Sequence, residues 1–217
     1  MTRSTAPAPA TPDTWPRRAA LPGLILAGLL VTVLVPLSFP TGGGSTSVDR
    51  TLEGDIHSAL DTHRWAYSVL VFPSNNYVVL PLLLAFAAWF AYRRQWWQAG
   101  FAVVAPELVV AVNTFALKPL WDRQLDHYLA YPSGHTVHLV AVVTAFALVS
   151  ESTRVRTTTV LVMIVVLPAV MIGMVGFGYH HPTDVLGGTA AAVSLVTALY
   201  LPFRYFTATP AAVQVSR

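Results

Sequence analysis

The stretch Tyr131-Pro132-Ser133-Gly134-His135 sits where a polar loop meets the apolar run of residues 137–148. Pro132 fixes its own φ and lacks a backbone donor, and Gly134 has no Cβ, so the segment reads as a turn running into a helix start. Ser133 or Thr136 can cap that helix. Its first backbone N–H groups have no helical partner, and with the positive end of the helix dipole they form an anion site. His135 stands at the lip of that site.

The surroundings of this turn decide the fold. Hydrophobic residues make up 54% of the 217-residue chain and charged residues only 11%. A soluble globule carries roughly 25% charged residues. The composition fits an all-α polytopic membrane protein. The net charge of +3 is small and the basic residues are scattered, so no nucleic-acid footprint is present. The chain contains no cysteine, which removes disulfides, thiolate nucleophiles and cysteine metal ligands.

Apolar runs at residues 21–39, 77–92, 99–117, 137–149, 159–177 and 185–202 predict a bundle of six membrane-spanning helices. Between the first two, residues 48–69 mix acids, His57, His63 and Trp65 with apolar residues, which predicts an interfacial amphipathic helix. A plain extracellular loop is the other reading of that interval. We read residues 1–20 as a disordered cytoplasmic tail, 21–204 as one membrane domain with its motif core at 118–188, and 205–217 as a second cytoplasmic tail. With six spans, Arg17, Arg18, Arg93, Arg94, Arg154, Arg156, Arg204 and Arg217 share one side. Arg50, Arg64, Lys118 and Arg123 share the other. The positive-inside rule then places both termini in the cytoplasm, in a plasma membrane, with the loops after the third and fifth spans outside.

Those two loops carry the chemistry. Lys118-Pro-Leu-Trp-Asp-Arg123, then Pro132 to His135, then His180-His181-Pro182-Thr183-Asp184 converge on one membrane face. They offer cations, a helix N-terminus, imidazoles and a carboxylate. That set suits phosphoryl transfer without a metal: one imidazole attacks, another protonates the leaving oxygen, and cations hold the equatorial oxygens. Asp184 follows His180 by four residues, so it can fix the tautomer of that ring. The other histidines read as solvated (His57, His63, His127), supporting (His138) or neighbouring (His181). Glu107 and Asn113, polar groups in the third span, face the bundle interior.

The order of these motifs resembles that of the type 2 phosphatidic acid phosphatase (PAP2) superfamily, integral-membrane lipid phosphatases marked by a Lys followed by Arg-Pro, by Pro-Ser-Gly-His, and by a Ser-Arg block leading to His-x3-Asp. Pro132 to His135 matches the second motif, and His180 with Asp184 matches the end of the third. The resemblance implies a phosphohistidine on His180, oriented by Asp184, with His135 as general acid. It also implies that Lys118, Ser133 and the Gly134 N–H hold the phosphate, with no cofactor. Two positions depart from the family. Leu125 stands where its first Arg falls, with Arg123 two residues earlier as a stand-in, and Met174 stands where its second Arg falls.

The expected function is hydrolysis of a phosphomonoester or diphosphate of a lipid: an isoprenoid phosphate or diphosphate, phosphatidic acid or a related molecule. Membrane lipids are the other expected partners. A metal-dependent hydrolase using His135, His138, His180 and Asp184 is one alternative. A lipid-binding or transport relative without catalysis is another, and Met174 is its support.

Overall fold

The computed structural model describes residues 15–208, and the expected tails lie largely outside them. The helices in order are α1 (Trp15–Leu34), α2 (Ser47–Leu60), α3 (Trp65–Val71), α4 (Asn76–Tyr92), α5 (Trp96–Val112), α6 (Lys118–Trp121), α7 (Gly134–Val149), α8 (Thr153–Gly176) and α9 (Pro182–Ala208). A small antiparallel hairpin, β1 (Gln124–Leu125) and β2 (Tyr128–Leu129), precedes α7 and pairs Gln124 with Leu129 and Leu125 with Tyr128. A π-helical turn over Asn113–Leu117 joins α5 to α6.

Among the described residues, five helical segments are long and apolar enough to cross a bilayer: Ala20–Ser38, Trp65–Tyr92, Trp96–Trp121, Thr153–Gly176 and Pro182–Thr207. The fourth expected span, α7, is a 16-residue helix. At about 1.5 Å per residue that length falls short of a ~30 Å hydrocarbon core. α7 is also the hub of the bundle. Every residue from Thr136 to Val142 is buried, and Val137, Ala141 and Ala145 share a core with Val109 of α5 and Ala192 and Val196 of α9. A helix that is apolar on all faces belongs in the middle of its neighbours. The outer helices do the opposite: Val160, Leu161, Ile164 and Val165 of α8 are at least half exposed, as a lipid-facing surface requires.

The interfacial segment is shorter than expected. α2 ends at Leu60, and from Trp65 the chain already belongs to the second membrane segment. The cause is close packing. Tyr67 is fully buried, and Gly173 and Gly176 of α8 leave room for it. A Cβ on Gly173 would lie 2.5 Å from the Val71 nitrogen and 2.8 Å from the Tyr67 carbonyl oxygen. Backbone atoms cannot yield as a side chain does. Gly173→Ala is therefore expected to part α3 from α8 and cost about 1–3 kcal/mol. Gly54→Ala, on an open face of α2, is the control. Equal thermal midpoints for the two variants in detergent would rule out the close-packing account.

Candidate active site

α7 begins with Ser133 as its N-cap, whose Oγ accepts from the Thr136 N–H at 3.4 Å and the Thr136 hydroxyl at 3.1 Å. Ser133 is fully buried, and its Oγ lies 3.8 Å from the Met174 sulfur. Ser133, expected as a phosphate ligand, thus spends its hydroxyl on the cap and turns toward the core. The Gly134 and His135 N–H groups, at the first two helical positions, have no intrahelical acceptor. The stem of Lys118 runs alongside, 3.9 Å from where a Cβ on Gly134 would stand. The Ser133 N–H donates to the Asp184 carbonyl at 3.0 Å, which ties the start of α7 to the start of α9. Gly187 and Gly188 of α9 make that junction possible, because a Cβ at either would meet the Tyr131 ring or the Ser133 carbonyl.

This junction brings the two histidines together. The rings of His135 and His180 lie 6.2 Å apart between centroids, at 73° to each other. His180 is 6% exposed. Burial holds its imidazole below the ordinary histidine range, partly opposed by the Asp184 carboxylate. Its Nδ1 is 3.6 Å from Asp184 Oδ2, within ion-pair reach but longer than a hydrogen bond, and has no hydrogen-bond partner. The Asp184 carboxylate is otherwise engaged: Oδ2 accepts from the His181 N–H at 2.9 Å and Oδ1 from Arg123 at 2.7 Å. The β1–β2 hairpin roofs the pair. The Tyr128 ring sits 6.0 Å from that of His180, its hydroxyl donates to the Tyr179 carbonyl, and Lys118 Nζ donates to the Leu129 carbonyl.

Arg123 is fully buried and has each of its five N–H donors engaged. Nε donates to the Gly43 carbonyl, and Nη1 donates to Thr183 Oγ1 and Asp184 Oδ1. Nη2 donates to the Gly44 carbonyl and Asp49 Oδ2, and the Phe39 ring lies 3.9 Å from the guanidinium carbon. No donor is left over for a phosphate. The expected clamp is instead an internal tie between α2, the Gly42–Gly44 turn and α9.

Sequence reading overlooked Asp49. It is fully buried, caps α2 reciprocally with Thr46, and accepts from the Thr183 N–H and hydroxyl, each at 2.9 Å. Burial alone would raise the Asp49 carboxyl, but the Thr46 and Thr183 N–H groups and Arg123 hold it below the usual carboxylate range. Its one sequence signal is the spacing Thr46-x-x-Asp49, which marks a helix start. One turn further along α2, Glu53 meets His181 Nδ1 at 2.5 Å, with the Ser45 hydroxyl 3.1 Å from the same nitrogen.

The remaining residues fall where their surroundings dictate. His138 pairs with Glu107 at 3.1 Å, and the Asn113 amide reaches the Pro132 carbonyl at 3.4 Å. His57 pairs with Asp61 at 2.9 Å, away from the site. Leu125 lies in β1, and Met174 is fully buried beneath Ser133 and Thr136. Among the described residues, no group of three or more His, Cys, Asp or Glu converges to hold a metal ion.

The sequence profile of the PAP2 superfamily matches residues 113–208, the span that holds Lys118, His135, His180 and Asp184. The fold is similar to the crystal structure of a transmembrane PAP2-type phosphatidylglycerolphosphate phosphatase from Bacillus subtilis. The two superpose with a TM-score of 0.62 at 20% identity, over 91% of this chain and 98% of that one. No curated protein sequence matches the chain. With its motifs in family order and the rings of His135 and His180 6.2 Å apart, residues 113–208 match the PAP2 superfamily of membrane phosphatases.

Proposed function

We propose that the protein hydrolyses a lipid phosphate or diphosphate through a phosphohistidine on His180. The observation that supports this reading is the neighbouring pair His135 and His180, whose rings lie 6.2 Å apart. The free ring nitrogen of His180 attacks phosphorus while the bond to the lipid oxygen breaks. His135, protonated, delivers its proton to that oxygen. Water then attacks the phosphohistidine, His135 takes the proton back, and inorganic phosphate leaves. Lys118 and the Gly134 and His135 N–H groups steady the equatorial oxygens. Asp184, within ion-pair reach of His180 Nδ1 at 3.6 Å, favours the proton on that nitrogen and leaves Nε2 to attack. Arg123 and Asp49 act as positioning residues that hold Asp184.

The bundle supports an orientation as well. Arg93, Arg94, Arg154, Arg156 and Arg204 lie at the opposite helix ends from the histidine pair. The positive-inside rule then puts the arginines and both termini in the cytoplasm, and the site at the outer face of the plasma membrane. In this reading α7 crosses as a sixth span, shielded by its neighbours. Candidate substrates are isoprenoid phosphates and diphosphates, phosphatidic acid, and phosphatidylglycerol phosphate, the substrate that the relative's name specifies.

Phosphate release from a panel of these lipids tests the proposal, and His135→Ala tests its acid. An alkyl lipid phosphate has a poor leaving group and needs the proton, so its turnover is expected to fall about 10²-fold or more. An aryl phosphate with an acidic leaving group is expected to lose far less. Equal losses on both would remove His135 from that role.

A further inference from the structure

A groove of about 600 Å³ runs along the bundle to the helix ends away from the histidines. It runs between α1, α8 and α9 with α7 as its floor, and its walls include Val143, Leu167, Val193 and Thr197. On α9 it extends from Thr189 to Arg204. Fifteen residue steps make that about 22 Å, longer than one ~15 Å leaflet of hydrocarbon. The charged end is specific. Arg156 and Arg204 line it, and among the described residues no carboxylate does. Arg156 is anchored by Nε to the Ala147 carbonyl at 3.2 Å and by Nη2 to the Ser150 carbonyl at 2.9 Å. Those two bonds aim the guanidinium, and among the described residues none accepts from Nη1.

We propose that this groove binds a phospholipid with an anionic head group, drawn from the leaflet opposite the catalytic end. One acyl chain lies along the apolar walls, and the phosphate meets Arg156. The occupant is not the substrate in its reacting pose. From Pro182, two residues past His180, to Arg204, α9 rises about 33 Å, so a lipid with its phosphate at the arginine end cannot present it to the histidines. The site is a second lipid site, and it stands apart from the proposed hydrolysis.

The test uses the full chain in nanodiscs of phosphatidylcholine with phosphatidylglycerol, followed by native mass spectrometry of retained lipid. The wild type is expected to keep one phosphatidylglycerol in preference to phosphatidylcholine. Arg156→Gln should lower that preference about fivefold, the effect of one basic residue near a lipid surface. Arg156→Lys should largely keep it. Thr197→Phe, which fills the groove, should lose both lipids. Equal retention of both lipids by the wild type would overturn the proposal, as would an unchanged preference in Arg156→Gln. Displacement of the retained lipid by a non-hydrolysable lipid phosphonate would also overturn it, by assigning the groove to the substrate's tail. Hydrolysis of a short-chain phosphate ester, measured on the same samples, is expected to be unchanged in all three variants. A failure of the lipid site is thereby separated from a failure of the catalytic reading.

Discussion

His180→Ala is expected to reduce phosphate release from every lipid phosphate by at least about 10³-fold, while a chelator leaves the wild type unaffected. The loss is large because the variant removes the attacking atom, and nothing nearby replaces it: His181 is held by Glu53 and Ser45. The chelator arm separates a phosphohistidine from a metal-bound hydroxide. The pH profile adds a second readout. The attacking ring must be neutral, and burial holds its pKa below the ordinary 6.5. Neutral His180 therefore persists on acidification past the point where an exposed histidine takes a proton. The acid limb of kcat/KM is expected below pH 6.5, with activity falling only as pH drops through the His180 pKa. Residual activity near wild type in His180→Ala would end the covalent account, and so would abolition by the chelator.

Arg123→Ala is expected to cost about 3–5 kcal/mol of stability, because it leaves Asp49 and Asp184 buried without their shared counter-charge. Arg123→Lys should fare only partly better. A lysine has three donors on one nitrogen and cannot reach five acceptors spread over three segments. A thermal melt in detergent reads the loss, and a double-mutant cycle with Asp49→Asn should show coupling, since Asp49 needs the positive charge less once it is neutral. Inorganic phosphate as an inhibitor separates positioning from clamping. If Arg123 positions Asp184, kcat falls in the folded Lys variant and phosphate affinity holds. A weakened phosphate affinity with kcat preserved would return Arg123 to the phosphate.

Much of this was open to reading along the chain. The apolar runs marked the membrane helices, because about 20 residues of low polarity have few other uses. Pro132 to His135 and His180 to Asp184 stood out because a helix start and a His–Asp pair four residues apart have compact local signatures. The boundaries were harder. The segment from Trp65 onward joins the second membrane helix because Gly173 and Gly176, about a hundred residues later, admit Tyr67. No local pattern carries that information. In the sequence Ser133 suits two roles, cap and phosphate ligand, and the packing of Met174 beneath it favours the cap.

The sequence by itself determined the solvent of this protein and the groups of its candidate site: a bilayer, because there are too few charges for water, and two imidazoles with a carboxylate near helix starts. Tertiary structure alone decided which cation meets which acid. Arg123 and Asp49 are 74 residues apart, and their pairing exists only because α2 folds back over the start of α9. A buried guanidinium bonds to whatever acceptors the fold brings within reach, and sequence order does not encode that proximity.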